Sequence, residues 1–314
     1  MAVEHYPLGV NFGMKYITAA YFTASNDSVP VVLLEGSQAI LHQKVYIQDD
    51  GDYILAPPEY HGYSDSDRKI ITDILQQVTD TAARAVGHPI DVKAASIPTG
   101  LDRIAREHLV STIMKADAVP ALTDIWQVLD FLNVARWTYN LDTSEALGHA
   151  DSFDLVDGPL NIVVYVDYNS RALDMWTADV VEFGVDSLDA PHNQAHYPEL
   201  GLSKVDPAGE ADQISQRIQQ FIDQLMSSED GPHVRAVIVS GEASTSAMDG
   251  VRHAVAEALS ESRKSLIRDQ IDPLFVGAVG AAHRARTFVE KAELWADDDD
   301  HDHDHGPVYK HDEL

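Results

Sequence analysis

Three short segments of this 314-residue chain carry residue types that could hold a phosphate group, each at the end of an apolar or β-branched run. The first is Gly9-Val10-Asn11-Phe12-Gly13-Met14-Lys15-Tyr16. The second is Val164-Tyr165-Val166-Asp167-Tyr168-Asn169-Ser170-Arg171-Ala172-Leu173-Asp174, and the third is Val237-Ile238-Val239-Ser240-Gly241-Glu242-Ala243-Ser244-Thr245. A glycine in such a turn lets backbone N–H groups approach an anion with no Cβ in the way. Other chemistries have no comparable arrangement. The 15 histidines form no H-E-x-x-H helix, and His42, His88 and His108 stand in unrelated surroundings that read as surface or satisfied core positions. No G-x-S-x-G turn, Walker loop or G-x-G-x-x-G fingerprint occurs. The chain has no cysteine, which removes disulfides, thiolate catalysis and zinc–cysteine sites.

Taken in order, the three segments resemble the phosphate loops of the heat-shock-70 family. The first resembles its phosphate-1 loop, G-[IV]-D-[LF]-G-T-T, and the second its phosphate-2 loop, L-V-F-D-L-G-G-G-T-F-D. The third resembles the adenosine loop V-L-V-G-G-S-T-R. Beyond it, Ile271-Asp272-Pro273 leads into Val276-Gly277-Ala278-Val279-Gly280-Ala281-Ala282, similar to the family's closing I-N-P-D-E-A-V-A-Y-G-A-A. Ile97-Pro98-Thr99-Gly100 sits where the family has V-T-V-P-A ahead of a helix. The resemblance runs over residues 8–290 and looks nearest the divergent large members of the family.

What the resemblance implies is an α/β, two-lobed actin-like fold of the ribonuclease-H-like duplicated kind, with mixed sheets flanked by helices and a reduced second lobe. It implies ATP or ADP with magnesium as cofactor. The nucleotide-binding positions carried over are Gly9, Asn11, Gly13, Met14 and Lys15 in the first turn, Asp167, Asn169, Ser170 and Asp174 in the second, and Ser240, Gly241 and Glu242 in the third. Asp167 would order the metal when nucleotide binds, and Asp167, Lys15 and Arg171 are the catalytic candidates.

Departures from the pattern decide between readings. The family's first-loop acid is Asn11 here, and its two phosphate-binding threonines are Met14 and Lys15. Three glycines of the second loop are replaced by Asn169, Ser170 and Arg171, which narrows the approach of a phosphate and brings Arg171 to where its terminal group would lie. Gly241 remains of the third loop's pair, either to admit an adenine ring or ribose or simply to end a strand. Three functions compete. The expected one is a pseudo-ATPase used as a binding or scaffolding module. The alternatives are an atypical active ATPase or phosphotransferase, with Asp167 on the metal and Lys15 or Arg171 on the phosphates, and a nucleotide sensor without turnover.

The turns need strands to aim them. Leu8–Phe22 reads as two strands about a tight turn, and Val29–Leu34 and Lys44–Gln48 follow, with a hairpin turn at Asp49-Asp50-Gly51-Asp52. Apolar residues at helical spacing predict a helix over Ser66–Val86, then a strand at Val92–Ile97 and helices at Asp102–Lys115 and Thr123–Asn140. A second unit opens with strands at Asn161–Tyr168 and Thr177–Phe183 and a loop-like stretch over Ala190–Gly209. Ala211–Met226 reads as a helix, Val234–Ser240 as a strand, and Ala247–Leu259 and Pro273–Lys291 as helices. The repeated plan predicts an N-terminal lobe over residues 1–155 and a C-terminal lobe over 156–295, with a disordered acidic tail over 296–314. The extra helical subdomain of heat-shock-70 ATPases has no room between Asp174 and Val237, and the residues given after Lys291 are not expected to form a peptide-binding domain.

Charge and ends bound the partners. A total of 51 acidic against 22 basic residues gives a formal net charge of −29, which argues against nucleic acid and against anionic membranes, leaving a protein partner as the expectation. His301, His303 and His305 alternate with aspartates in the tail and could hold a transition metal weakly. The polar start Met1–Pro7 predicts no secretory leader, yet the last residues, His311-Asp312-Glu313-Leu314, spell an endoplasmic-reticulum retrieval address. The compartment is therefore read as the endoplasmic-reticulum lumen if a leader is missing from this chain, and as cytoplasm otherwise.

Overall fold

Every residue of the strand Leu8–Phe12 (β1) is buried, and Tyr16–Phe22 (β2) is buried at all but its first. A strand apolar on both faces belongs at the centre of a sheet covered on both sides, and that is where these lie. The computed structural model describes residues 6–35, 45–47, 53–55, 65–99, 101, 103–116, 118–150, 154–155, 158–181, 184–188, 193–201 and 207–291. The hairpin turn at Asp49–Asp52, the tail over 296–314 and its histidines fall outside those residues.

After β2 come Ser28–Glu35 (β3), Val45–Ile47 (β4), Tyr53–Leu55 (β5), the helix Asp65–Val86 (α1) and Val92–Ile97 (β6). The helix Arg103–Met114 (α2), a 3-10 turn Ile125–Gln127, Val128–Asp130 (β7) and the helix Phe131–Thr138 (α3) complete the first half. The second half holds Ile162–Tyr168 (β8), Leu173–Val181 (β9), Gly184–Ser187 (β10), Gln194–Tyr197 (β11) and the helix Pro207–Met226 (α4). Val234–Gly241 (β12), the helix Thr245–Ala258 (α5), Ile267–Arg268 (β13) and the helix Val276–Glu290 (α6) end it.

Two mixed sheets carry the architecture. The first has the order β3-β2-β1-β6-β7, and the main path of the second is β10-β9-β8-β12-β13. In each, the first two pairings are antiparallel and the last two parallel. The second sheet adds β11, which takes the edge of β9 over Leu173–Trp176 while β10 takes it over Ala178–Val181. Apolar stripes decide which helix covers which face. Ile71, Leu75, Val78 and Ala82 of α1 are buried against the first sheet, and Ile218, Ile222 and Leu225 of α4 and Val251 and Val255 of α5 against the second.

The other two helices exchange places. The helix α3 follows the first sheet but joins the core of the second, where Tyr165 Oη donates to the Leu132 carbonyl at 3.1 Å. The helix α6 follows the second sheet yet packs against Ala20 and Phe22 of the first. It is squeezed between that sheet and α3, which is why it is built of small residues. A Cβ on Gly9 would lie 1.9 Å from the Ala282 backbone nitrogen, and one on Gly280 would lie 1.9 Å from the Val134 carbonyl oxygen. Gly9 is therefore a packing glycine, and α6, which the sequence division assigns to the second half, lies on the first sheet.

Two readings of the sequence need correction. Thr123–Asn140 is not one helix. Asp124 and Gln127 close a capping box on the 3-10 turn, Val128 then pairs in parallel with Ala95, and Asp130 caps a new helix by accepting from the Asn133 amide. The stretch Ala190–Gly209 is not all loop. It contains β11 and the start of α4, where Pro207 occupies the first turn, a position that proline tolerates because its missing N–H has no helical partner there. Among the described residues no helix is long and apolar enough to cross a membrane.

Candidate functional site

The parallel strands β1, β6, β8 and β12 all end on one side, and their C-terminal ends enclose a cleft between the sheets, the usual place for a ligand in an open α/β fold. Asn11, Phe12, Gly13 and Met14 come from the first turn, Pro98 and Thr99 from the end of β6, Asp167, Asn169 and Asp174 from the second turn, and Gly241 and Glu242 from the third. Phe131, Trp176, Pro273, Leu274 and Gly277 complete the wall. The three segments singled out by sequence thus converge. The cleft volume is about 50 Å³, against roughly 300–1,000 Å³ for ordinary small-molecule sites.

The first turn is already occupied by a side chain. The Glu242 carboxylate reaches across from the end of β12 and accepts from the Lys15 amide at 2.9 and 2.8 Å and from the Tyr16 amide at 3.0 Å. Gly13 makes room for it, since a Cβ there would stand 2.2 Å from Glu242 Oε1. The donors that a phosphate loop offers to an anion are held by an anion of the protein itself. Burial pushes the Glu242 carboxyl up to about 7, against the two amides that favour its charge.

Gly241, at φ +146°, belongs to the same arrangement. Its missing Cβ would meet the Tyr168 carbonyl oxygen at 2.2 Å, so its freedom serves the close approach of β12 to β8, and the Glu242 amide then donates to that carbonyl at 2.9 Å.

The second turn is closed from within. Asn169 is buried; its Oδ1 accepts from the Arg171 and Ala172 amides at 2.9 and 3.1 Å, and its Nδ2 donates to Asp167 at 2.8 Å and Asp174 at 3.1 Å. Asp167 also accepts from the Ser240 hydroxyl at 2.6 Å, and Asp174 is paired with His196 Nδ1. Burial, and secondarily the nearby Asp174, raise the Asp167 carboxyl, while its bonds to Asn169 and Ser240 oppose the shift.

Of the remaining sequence candidates, Lys15 aims its ammonium at Tyr16 Oη, 2.8 Å away, and at Glu35, 3.3 Å away. Ser170 and Arg171 are buried, but neither lines the cleft, and Gly9 is under α6. The two cations expected on a phosphate are thus absent from the wall, which instead holds the three carboxylates Asp167, Asp174 and Glu242. These residues do not fit a magnesium nucleotide: the amides of the first turn are taken by Glu242, neither Lys15 nor Arg171 faces the cleft, and the wall is lined by carboxylates.

Sequence reasoning did not single out Trp176 or His196. Trp176 was within reach, because it lies two residues beyond Asp174 on one strand and so shares its face. His196 was not, because its approach to Asp174 depends on the register of β11 against β9. Compared with known proteins, the chain matches no protein-family model and no curated sequence.

Proposed function

We propose that this chain is an ATPase-type domain of the actin and heat-shock-70 kind that no longer uses a nucleotide and serves as a binding or scaffolding module for a protein partner. The ribonuclease-H-like reading of each half is supported by the shared order and sense of the two sheets and by the two helices exchanged between them. Loss of nucleotide chemistry rests on one observation above all, the Glu242 carboxylate on the amides of Lys15 and Tyr16. A phosphate brought there would find its donors taken, and above about pH 7, where Glu242 is ionised, it would also meet a like charge in a partly desolvated site. With the nucleotide gone, the fold keeps two sheets, a cleft and a strongly acidic surface, which are the means of a binding module. Isothermal titration with MgATP and with MgADP tests the reading. No saturable heat is expected; magnesium-dependent binding accompanied by turnover would replace it with the active-ATPase reading.

A further inference from the structure

The cleft's wall carries charge and hydrogen-bonding groups that its own fold leaves open. Asn11 is 8 % exposed and lines the cleft, and among the described residues its amide side chain has no hydrogen-bond partner. Thr99 Oγ1 is buried there without a partner as well. Beside them stand Asp167 and Asp174, each of whose carboxylate oxygens accepts one hydrogen bond and keeps a further lone pair, while among the described residues no lysine, arginine or histidine lines the cleft. The Asn11 amide therefore faces the cleft with its hydrogen bonds left for water or a ligand to make.

We propose that the cleft binds a protonated primary amine, whose ammonium is taken by Asn11, Asp167 and Asp174 and whose first methylenes lie against Trp176 and Phe131. An ammonium offers three N–H donors and no acceptor, which suits acceptors on several sides, and an aromatic wall adds cation–π attraction. A metal ion suits the lining less well, since among the described residues no three acidic or histidine side chains gather as metal ligands. The raised Asp167 carboxyl accords with this, because an incoming cation favours its charged form. The inference builds on the nucleotide-free reading and names the ligand of the same cleft.

The test is calorimetric titration of the full chain with n-butylammonium chloride at pH 8, with potassium chloride at matched ionic strength as the control. Saturable one-site binding is expected, weakened at least about tenfold in Asn11→Leu, whose circular dichroism and melting curve establish that it is folded. Trp176→Leu supplies a second variant, expected to weaken binding to a lesser degree. A lysine with both backbone ends blocked, used in place of butylamine, distinguishes the sources: equal binding assigns the cleft to a lysine side chain of a partner, and binding of butylamine alone to a free amine. Absence of saturable binding, equal binding of magnesium chloride, or a folded Asn11→Leu with unchanged affinity overturns the proposal. Failure of the amine while MgATP also fails to bind removes this inference alone; binding of MgATP removes the reading beneath it.

Discussion

The β1–β2 turn and the β8–β9 turn hold the same place in the two sheets, and each is closed to an anion by a different means. The first is filled from outside, by Glu242 reaching across the cleft from β12. The second is filled from inside, by Asn169 bonding two amides of its own turn and two carboxylates at its flanks. A latch between sheets and a cap within a turn have different consequences. The latch governs how the halves sit against each other, whereas the cap governs whether one turn keeps its shape. Both engage the turn's amides with the protein's own side chains.

The cap carries the larger stability effect. Asn169→Ala removes four bonds in a buried network and leaves Asp167 and Asp174 facing each other unbridged, so a loss of roughly 4 kcal/mol is expected in urea unfolding. A loss below about 1 kcal/mol would mean that the turn holds itself without Asn169.

The latch shows itself in pH dependence. With Glu242 near 7 in the folded chain and near 4.5 when unfolded, the folded state holds the extra proton between those values. Its contribution is present in full below about 4.5 and is lost as pH rises through about 7, a fall of about 3 kcal/mol. Glu242→Gln keeps an acceptor for the two amides but cannot titrate, so its stability relative to wild type should rise over that interval. Parallel pH profiles for the two proteins would contradict a buried, protonatable latch.

Much of the scaffold was legible because apolar periodicity is strong where burial is deep. The strand Val92–Ile97 agrees residue for residue, and the helix at 65–86 agrees within one, since Ile71, Leu75, Val78 and Ala82 mark a single stripe. The short strands β7, β10 and β13 were not legible, because two to four residues paired at an edge leave no period to read. The convergence of the three turns followed from the resemblance and their order. What occupied them did not, because the reach of Glu242 to residues 15 and 16 spans more than 220 positions and depends on how the halves close. Likewise the resemblance gives Gly13 to a phosphate and leaves Gly241 between a ligand and the end of a strand, whereas Gly13 makes room for a carboxylate and Gly241 for a neighbouring strand.

Smaller changes sharpen the same contrast. Gly13→Ala would place a Cβ 2.2 Å from Glu242 Oε1 and 2.8 Å from the Tyr16 carbonyl oxygen, so it should break the latch at a cost of about 2 kcal/mol and flatten the pH profile as Glu242→Gln does. Lys15→Ala should change stability by less than about 1 kcal/mol, because its ammonium pairs with an exposed Glu35 outside the cleft. A large loss there, seen in thermal melts, would place the lysine in the cleft after all.

The two amides at the centre of the account can be watched directly. In ¹⁵N–¹H correlation spectra of the full chain, the Lys15 and Tyr16 resonances should stay in place as MgATP is added, because Glu242 already accepts from both. Saturable movement of those two peaks with MgATP in the wild-type protein would show a phosphate displacing the carboxylate, and the claim that the first turn is closed would fall.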